Sequence, residues 1–234
     1  MRKLSICIPT FNRVDMTIES FLDVMSDERI ESIVVVDDAS DLDAFNELKS
    51  ICDFLPKVSL FRNLTNQNCY ANKMIAASYA KSDYIILLDS DNIIQTDYLD
   101  AIFEQDWNED TILAPVFART MFDYRAFSGL LIDKENVVQY IDKPMFQTAL
   151  NTANYFIHKE SYLHTFDPNF NPVTADSIYI NYLWLKNKGK IKFVEGMEYE
   201  HKIHNGSHYI NNVHRTPNGL NEEIVQKIRN LNKS

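Results

Sequence analysis

Short apolar runs and helical stripes alternate along the first 92 residues. Leu4 to Ile8 is a run that stops at Pro9, and Val14, Ile18, Phe21, Leu22 and Met25 then recur at the spacing of one helix face. Ile33 to Val36 is a β-branched run suited to a sheet interior, and it breaks at the turn and cap cluster Asp37-Asp38-Ala39-Ser40-Asp41. Ala44 to Ile51 fits a helix, Val58 to Phe61 a third strand, Cys69 to Ala80 a helix, and Tyr84 to Leu88 a fourth strand. A short apolar run between polar flanks reads as a strand covered on both faces. The alternation therefore predicts an α/β fold with a mostly parallel central sheet and helices on both faces. Each of these strands except the third ends in a turn rich in Asp, Asn or Thr. In a parallel sheet such turns share the carboxyl edge, where ligands bind.

Beyond Asn92 the pattern loosens. Gln95 to Glu104 suits a short helix, and Ile112 to Val116 a strand interrupted by Pro115. Arg119 to Phe146 has no clear period. Order returns with the apolar helix that follows Asp176, a C-cap turn at Lys188-Gly189-Lys190, and a strand over Ile191 to Val194. Asn221 to Leu231 reads as an amphipathic helix with Ile224, Val225, Ile228 and Leu231 on one stripe. No repeat or low-complexity linker divides the chain, so residues 1–234 are expected to form a single domain.

Composition narrows the chemistry. Hydrophobic residues make up 45% of the 234, enough for one substantial core. Five glycines and no GxGxxG or P-loop argue against a glycine-rich phosphate cradle. A formal net charge of −10 argues against unaided binding of nucleic acid or an anionic membrane. The three cysteines, Cys7, Cys52 and Cys69, lack zinc spacing and give no sign of an oxidising compartment. No apolar stretch reaches the roughly 20 residues that cross a bilayer, and no signal peptide opens the chain. The expected location is the cytoplasm.

Chemistry concentrates at Leu87-Leu88-Asp89-Ser90-Asp91-Asn92, where two carboxylates leave the end of a buried strand. Paired hard oxygen donors there suit Mg²⁺ or Mn²⁺, which in turn holds a phosphate. The alternative is that either aspartate caps the following helix.

Several segments together resemble glycosyltransferase family 2, whose members have the GT-A (Rossmann-like) fold and use nucleotide sugars. Ser5 to Arg13 resembles the opening strand, Val35 to Ser40 the second strand and its acidic turn, and Asn68 to Ile75 the helix start ending in Asn72. Tyr84 to Asn92 resembles the strand with the Asp-x-Asp signature. Phe166 to Phe170 with Thr174-Ala175-Asp176 is similar to the acceptor-side segment, and Lys202 to Ser207 to the late Arg-Val-His element. The matches keep the family's order from about residue 4 to 207.

The resemblance implies a division of labour. Residues 1–92 are the nucleotide-binding half, about 93–215 the acceptor-binding half, and 216–234 a C-terminal helix. Pro9, Thr10, Phe11, Arg13, Asp37, Asp38, Asn68 and Asn72 line the donor pocket, Asp38 accepting from the base and Phe11 stacking on it. Asp89 and Ser90 serve the ribose side, and Lys202 is a counter-charge for the diphosphate. Asp89, Asp91 and His204 hold Mn²⁺ or Mg²⁺, Asp91 most directly. Asp176 is the general base of an inverting transfer to a glycan or lipid-linked acceptor, with peripheral attachment to the inner face of a membrane compatible with such acceptors. Each residue has a plainer reading: turn and cap chemistry for Asp37 and Asp38, an N-cap for Asp176, an exposed polar loop for His204. Ala39, Asn68, Ala71, Met74 and Ala175 depart from the family pattern, and Lys202 stands where Arg is frequent. Two other functions compete: a sugar nucleotidyltransferase, which would need a basic glycine-rich N-terminal loop, and a nucleotide-sugar-binding protein without turnover.

Overall fold

A computed structural model describes residues 2–170, 175–204 and 219–233. The expected strands and helices of the first half are present: β1 (Leu4–Thr10), α1 (Val14–Leu22), β2 (Ile30–Asp37), α2 (Leu42–Cys52), β3 (Val58–Arg62), α3 (Asn68–Ser78) and β4 (Tyr84–Leu87). Then come β5 (Asn92–Ile93), α4 (Thr96–Phe103), β6 (Thr111–Ala114), β7 (Phe117–Arg119), β8 (Phe122–Asp123), β9 (Leu131–Ile132) and α5 (Phe146–Leu150). The remaining elements are β10 (Phe156–His158), α6 (Lys159–Leu163), α7 (Asp176–Lys186), β11 (Lys190–Phe193), β12 (Glu198–His201) and α8 (Leu220–Arg229).

The central sheet has the order β3-β2-β1-β4-β10-β6-β11-β9. Strands β3, β2, β1 and β4 pair in parallel, as do β6 and β11, while β10 and β9 run antiparallel to their neighbours. Alternate residues of each strand go to opposite faces. Cys7, Val34, Val36, Ile85 and Leu87 enter one core with α3, α5, α7 and α8. Ile6, Ile8, Ile33, Val35 and Ile86 enter another with α1, α2 and α4. Helices thus cover both faces, and each fully buried aliphatic side chain contributes roughly 1.5–3 kcal/mol.

Pro115 separates two strands rather than interrupting one. With no N–H to donate, it ends β6. The chain resumes as β7 in a second, small sheet ordered β5-β12-β7-β8. This small sheet lies beyond the carboxyl end of β4 and brings β12 against Asn92, with His201 Nδ1 2.7 Å from Asn92 Oδ1.

The turn after α7 forms as expected but with the roles of its residues exchanged. Lys188 takes the left-handed conformation at φ +68°. Gly189 is needed because a Cβ there would sit 2.3 Å from Trp184 Nε1. The stripe Ile224, Val225, Ile228 and Leu231 is buried in the same core as α7. Among the described residues no helix is long and apolar enough to cross a membrane.

Candidate active site

Three carboxyl-edge turns meet where β1, β2 and β4 end. Asp38 N–H donates to Thr10 O at 2.8 Å, and Leu88 N–H to Cys7 O at 3.0 Å, which locks the turns side by side. Two groups of carboxylates result.

The first group surrounds Asp38. Its Oδ1 accepts from Asn63 Nδ2 at 2.7 Å and from the Gln67 backbone N–H at 2.8 Å. Asn63 also reaches Asn72 Oδ1 at 2.9 Å, and Asn72 donates to Val36 O at 3.0 Å. Every one of these donors is neutral. Burial therefore dominates and pushes the Asp38 carboxyl above its ordinary value, with the Gln67 and Asn63 bonds opposing. Asp37 turns inward: its Oδ2 accepts from Ser40 N–H at 3.1 Å and lies 3.6 Å from Arg62 Nη1. Thr10 is buried with its hydroxyl 2.7 Å from that of Thr17, while Phe11 is 41% exposed at the rim, open to a stacking partner. Asn12, Ala39 and Asn68 adopt positive φ, so the edge turns are sharp even where alanine stands.

The second group contains Asp89, Asp91 and Asp176, each paired with a cation or imidazole. Arg13 Nη1 lies 2.8 Å from Asp91 Oδ2, and His204 Nε2 lies 3.1 Å from the same oxygen. Lys73, on α3 and nearly inaccessible, places its Nζ 2.9 Å from Asp89 Oδ1 and 2.8 Å from Asp176 Oδ2. Asp89 N–H donates to Asn154 Oδ1 at 2.8 Å, which fixes the turn. Asp176 is the first residue of α7, not its cap; the cap position is Ala175, at φ +67°. Burial disfavours the ionised Asp176, but Lys73 and the helix-start N–H groups outweigh it and hold its carboxyl below the usual value. At Lys73 burial opposes the charge, and Asp176 and Asp89 outweigh it, so its pKa lies well above that of an ordinary lysine. Burial pushes Asp89 the other way, upward, with Asp91 and Asp176 adding to the effect and Lys73 opposing it.

The structure thus gathers Asp38, Asn72, Arg13, Asp89, Asp91, His204 and Asp176 along one edge. Ser90 is buried in the turn between the two aspartates. Lys202 is placed elsewhere: its ammonium pairs with Glu19 of α1, and only its backbone N–H meets the site, donating to Asp91 O at 3.0 Å. Thr174 and the stretch Asn205 to Ser207 lie outside the described residues. Three contributors escaped the sequence reading: Lys73, Asn154 and Asn63. Lys73 is buried with Ala76 and Ala77 on α3, but a lysine within a helix reads from sequence as solvent-facing. Asn154 and Asn63 had no signal.

Asp91 and His204 supply an oxygen and an imidazole nitrogen side by side, a donor set that fits Mn²⁺ or Mg²⁺. Among the described residues no group of three or more His, Cys, Asp and Glu side chains is placed to hold a metal ion, and Asp89 pairs with Lys73.

A largely parallel sheet with acidic turns gathered at the ends of β1, β2 and β4 defines a GT-A glycosyltransferase fold. Two solved structures share it at a TM-score of 0.64 and 16% identity. One is GalNAc-T7 with UDP, GalNAc and Mn²⁺, matched over 86% of this chain and 44% of that one. The other is S. aureus TarS with UDP-GlcNAc, matched over 88% of this chain and 60% of that one. The chain belongs to glycosyl transferase family 2, whose family model it matches over residues 5–157. A Mus musculus protein named inactive polypeptide N-acetylgalactosaminyltransferase-like protein 5 is 34% identical over 85 residues, 34% of this chain and 19% of that protein. The chain thus spans about a fifth of that curated relative.

Proposed function

We propose that this chain transfers a sugar from a nucleoside diphosphate sugar, UDP-linked by preference, to a hydroxyl of a glycan or lipid-linked saccharide, with inversion at the anomeric carbon. The observation that carries the reading is the placement of Asp176 beside Asp89, one carboxylate from each half of the chain, 2.8 Å and 2.9 Å from a single ammonium. In this reading residues 1–92 hold the donor and about 93–215 the acceptor.

Asp38 accepts the N–H of the base, and Phe11 covers its face. Arg13 pairs with Asp91 at 2.8 Å and lies beside the diphosphate path. Asp91 and His204 would hold a divalent cation, with Asp89 on the ribose side; bound there, the ion would supply positive charge to the departing diphosphate. Asp176 removes the proton of the acceptor hydroxyl as its oxygen attacks the anomeric carbon. The bond to the diphosphate oxygen breaks on the opposite face, and the nucleoside diphosphate leaves.

The grip of Lys73 on Asp176 favours a second reading, a nucleotide-sugar-binding protein without turnover, because a carboxylate neutralised by an ammonium is a weaker base. Release of UDP from UDP-GlcNAc or UDP-GalNAc, with water as acceptor, separates the two. Turnover that Mn²⁺ supports and Asp176→Asn lowers about 10²–10⁴-fold is the expected result. Tight UDP binding with no release under any condition supports the second reading.

A further inference from the structure

Lys73 is a cation that the donor and acceptor chemistry does not by itself require, in a place where a lysine is costly. Its side chain is 4% exposed, on the face of α3 that packs toward the sheet. Removing an ammonium from water costs several kcal/mol unless partners compensate. The partners here are two, and they come from opposite halves of the chain: Asp89 from the turn after β4 and Asp176 from the start of α7. Residues 150–154 tie the backbones of the two segments, through Leu150 and Asn151 to α7 and through Asn154 to the Asp89 turn, while Lys73 bridges the two carboxylates themselves.

Resting on the reading of Asp176 as base, we infer that Lys73 is a positioning residue that sets the distance between the donor-side aspartate and the base. One ammonium contacts Oδ1 of Asp89 and Oδ2 of Asp176. The helix-start N–H groups of Asp176 and Ser177 also hold the Asp176 carboxylate, so the group is held from two directions. Cys69 Sγ, one turn earlier on α3, lies 3.8 Å from the same Asp176 oxygen and closes that side. Without the ammonium, Asp89 and Asp176 face each other as like charges and move apart, and a base displaced by about 1 Å loses on the order of 10²-fold in rate.

The test is a double-mutant cycle of Lys73→Met and Asp176→Asn, read as UDP release from UDP-GlcNAc and UDP-GalNAc under single-turnover and steady-state conditions. Lys73→Gln, which keeps a hydrogen-bond donor, serves beside Lys73→Met, and melting temperatures identify any variant that fails to fold. The expected result is a fall of about 10²-fold in kcat for Lys73→Met, KM for the donor within about threefold of wild type. Lys73→Gln falls less. In the Asp176→Asn background the same Lys73 substitution should change the residual rate by less than about threefold, because two residues that act as a unit are not additive.

Three results overturn the inference and leave the base reading standing: kcat unchanged in both folded Lys73 variants, a rise confined to KM, or an equal loss in both backgrounds. Full activity in Asp176→Asn overturns the base reading instead, and the inference with it. A wild-type protein that releases no UDP does the same.

Discussion

The two carboxylate groups at the carboxyl edge of the sheet are held by different kinds of donor. Asp38 is held by the amides of Asn63 and the Gln67 backbone. Asp89, Asp91 and Asp176 are held by Lys73, Arg13 and His204. Neutral donors fix a carboxylate without cancelling its charge, which in the proposed function suits a group that accepts the N–H of a base. Lys73 and Arg13 offset two of the three negative charges, which in the proposed function suits the end of the pocket where a diphosphate of like sign must enter. In a chain of formal net charge −10, that local offset would favour the approach of the anionic donor proposed above.

The comparison breaks first at Asp176. Asp176→Asn should lower UDP release by about 10²–10⁴-fold, the span of general-base catalysis, while UDP affinity measured by calorimetry stays within about threefold. Parallel losses of turnover and affinity would place Asp176 in the donor pocket instead. Asp38→Asn tests the other group. It replaces an ionic acceptor by a neutral one, and loss of a hydrogen bond to a charged group costs about 1.5–3 kcal/mol, so uridine and UDP should weaken alike, by roughly 10- to 100-fold. A loss seen with UDP and not with uridine would move Asp38 to the diphosphate side.

The smallest effect is on stability. Asp176 has its carboxyl held below the ordinary value, so ionised Asp176 stabilises the folded state above the unfolded-state pKa of about 4 and loses that contribution as the pH falls through the folded value. The melting temperature of the wild type minus that of Asp176→Asn should therefore shrink between pH 7 and pH 3, by about 2–4 °C for each kcal/mol. A difference that does not move with pH would show that Lys73 does not hold Asp176 ionised.

Much of this arrangement is legible in the amino-acid sequence, and the reasons are physical. Unbroken apolar runs in β1, β2 and β4 mark strands covered on both faces, and helical stripes in α1, α3 and α8 mark the helix faces that cover them. Acidic turns at the strand ends then fall on one edge by topology alone. Residues 119–154 resist such reading because their elements are too short to show a period. They comprise strands of two or three residues, 3-10 turns and a five-residue helix entered through Met145 at φ +64°. Asn154, which fixes the Asp89 turn, lies at the end of that stretch. Lys73 was hidden for a different reason: a lysine within a helix ordinarily marks its solvent face. Only its two carboxylate partners, 16 and 103 positions later in the chain, make its burial tolerable. Of the metal set expected from sequence, Asp91 and His204 lie 3.1 Å apart and Asp89 pairs with Lys73.

The central claim is that the amide-held group binds the nucleoside and the ion-paired group binds the diphosphate with a divalent cation. The most direct measurement is the melting temperature with uridine, UMP and UDP, each with Mn²⁺ and with a chelator, in the wild type and in Asp91→Ala. A ligand that binds only the folded state stabilises it by mass action, about 2.7 kcal/mol at 100 times its Kd. The account predicts a shift with UDP that Mn²⁺ enlarges, a smaller metal-independent shift with uridine, and loss of the Mn²⁺ increment alone in Asp91→Ala. A UDP shift indifferent to Mn²⁺ in both proteins, or no shift with any nucleotide, would contradict it.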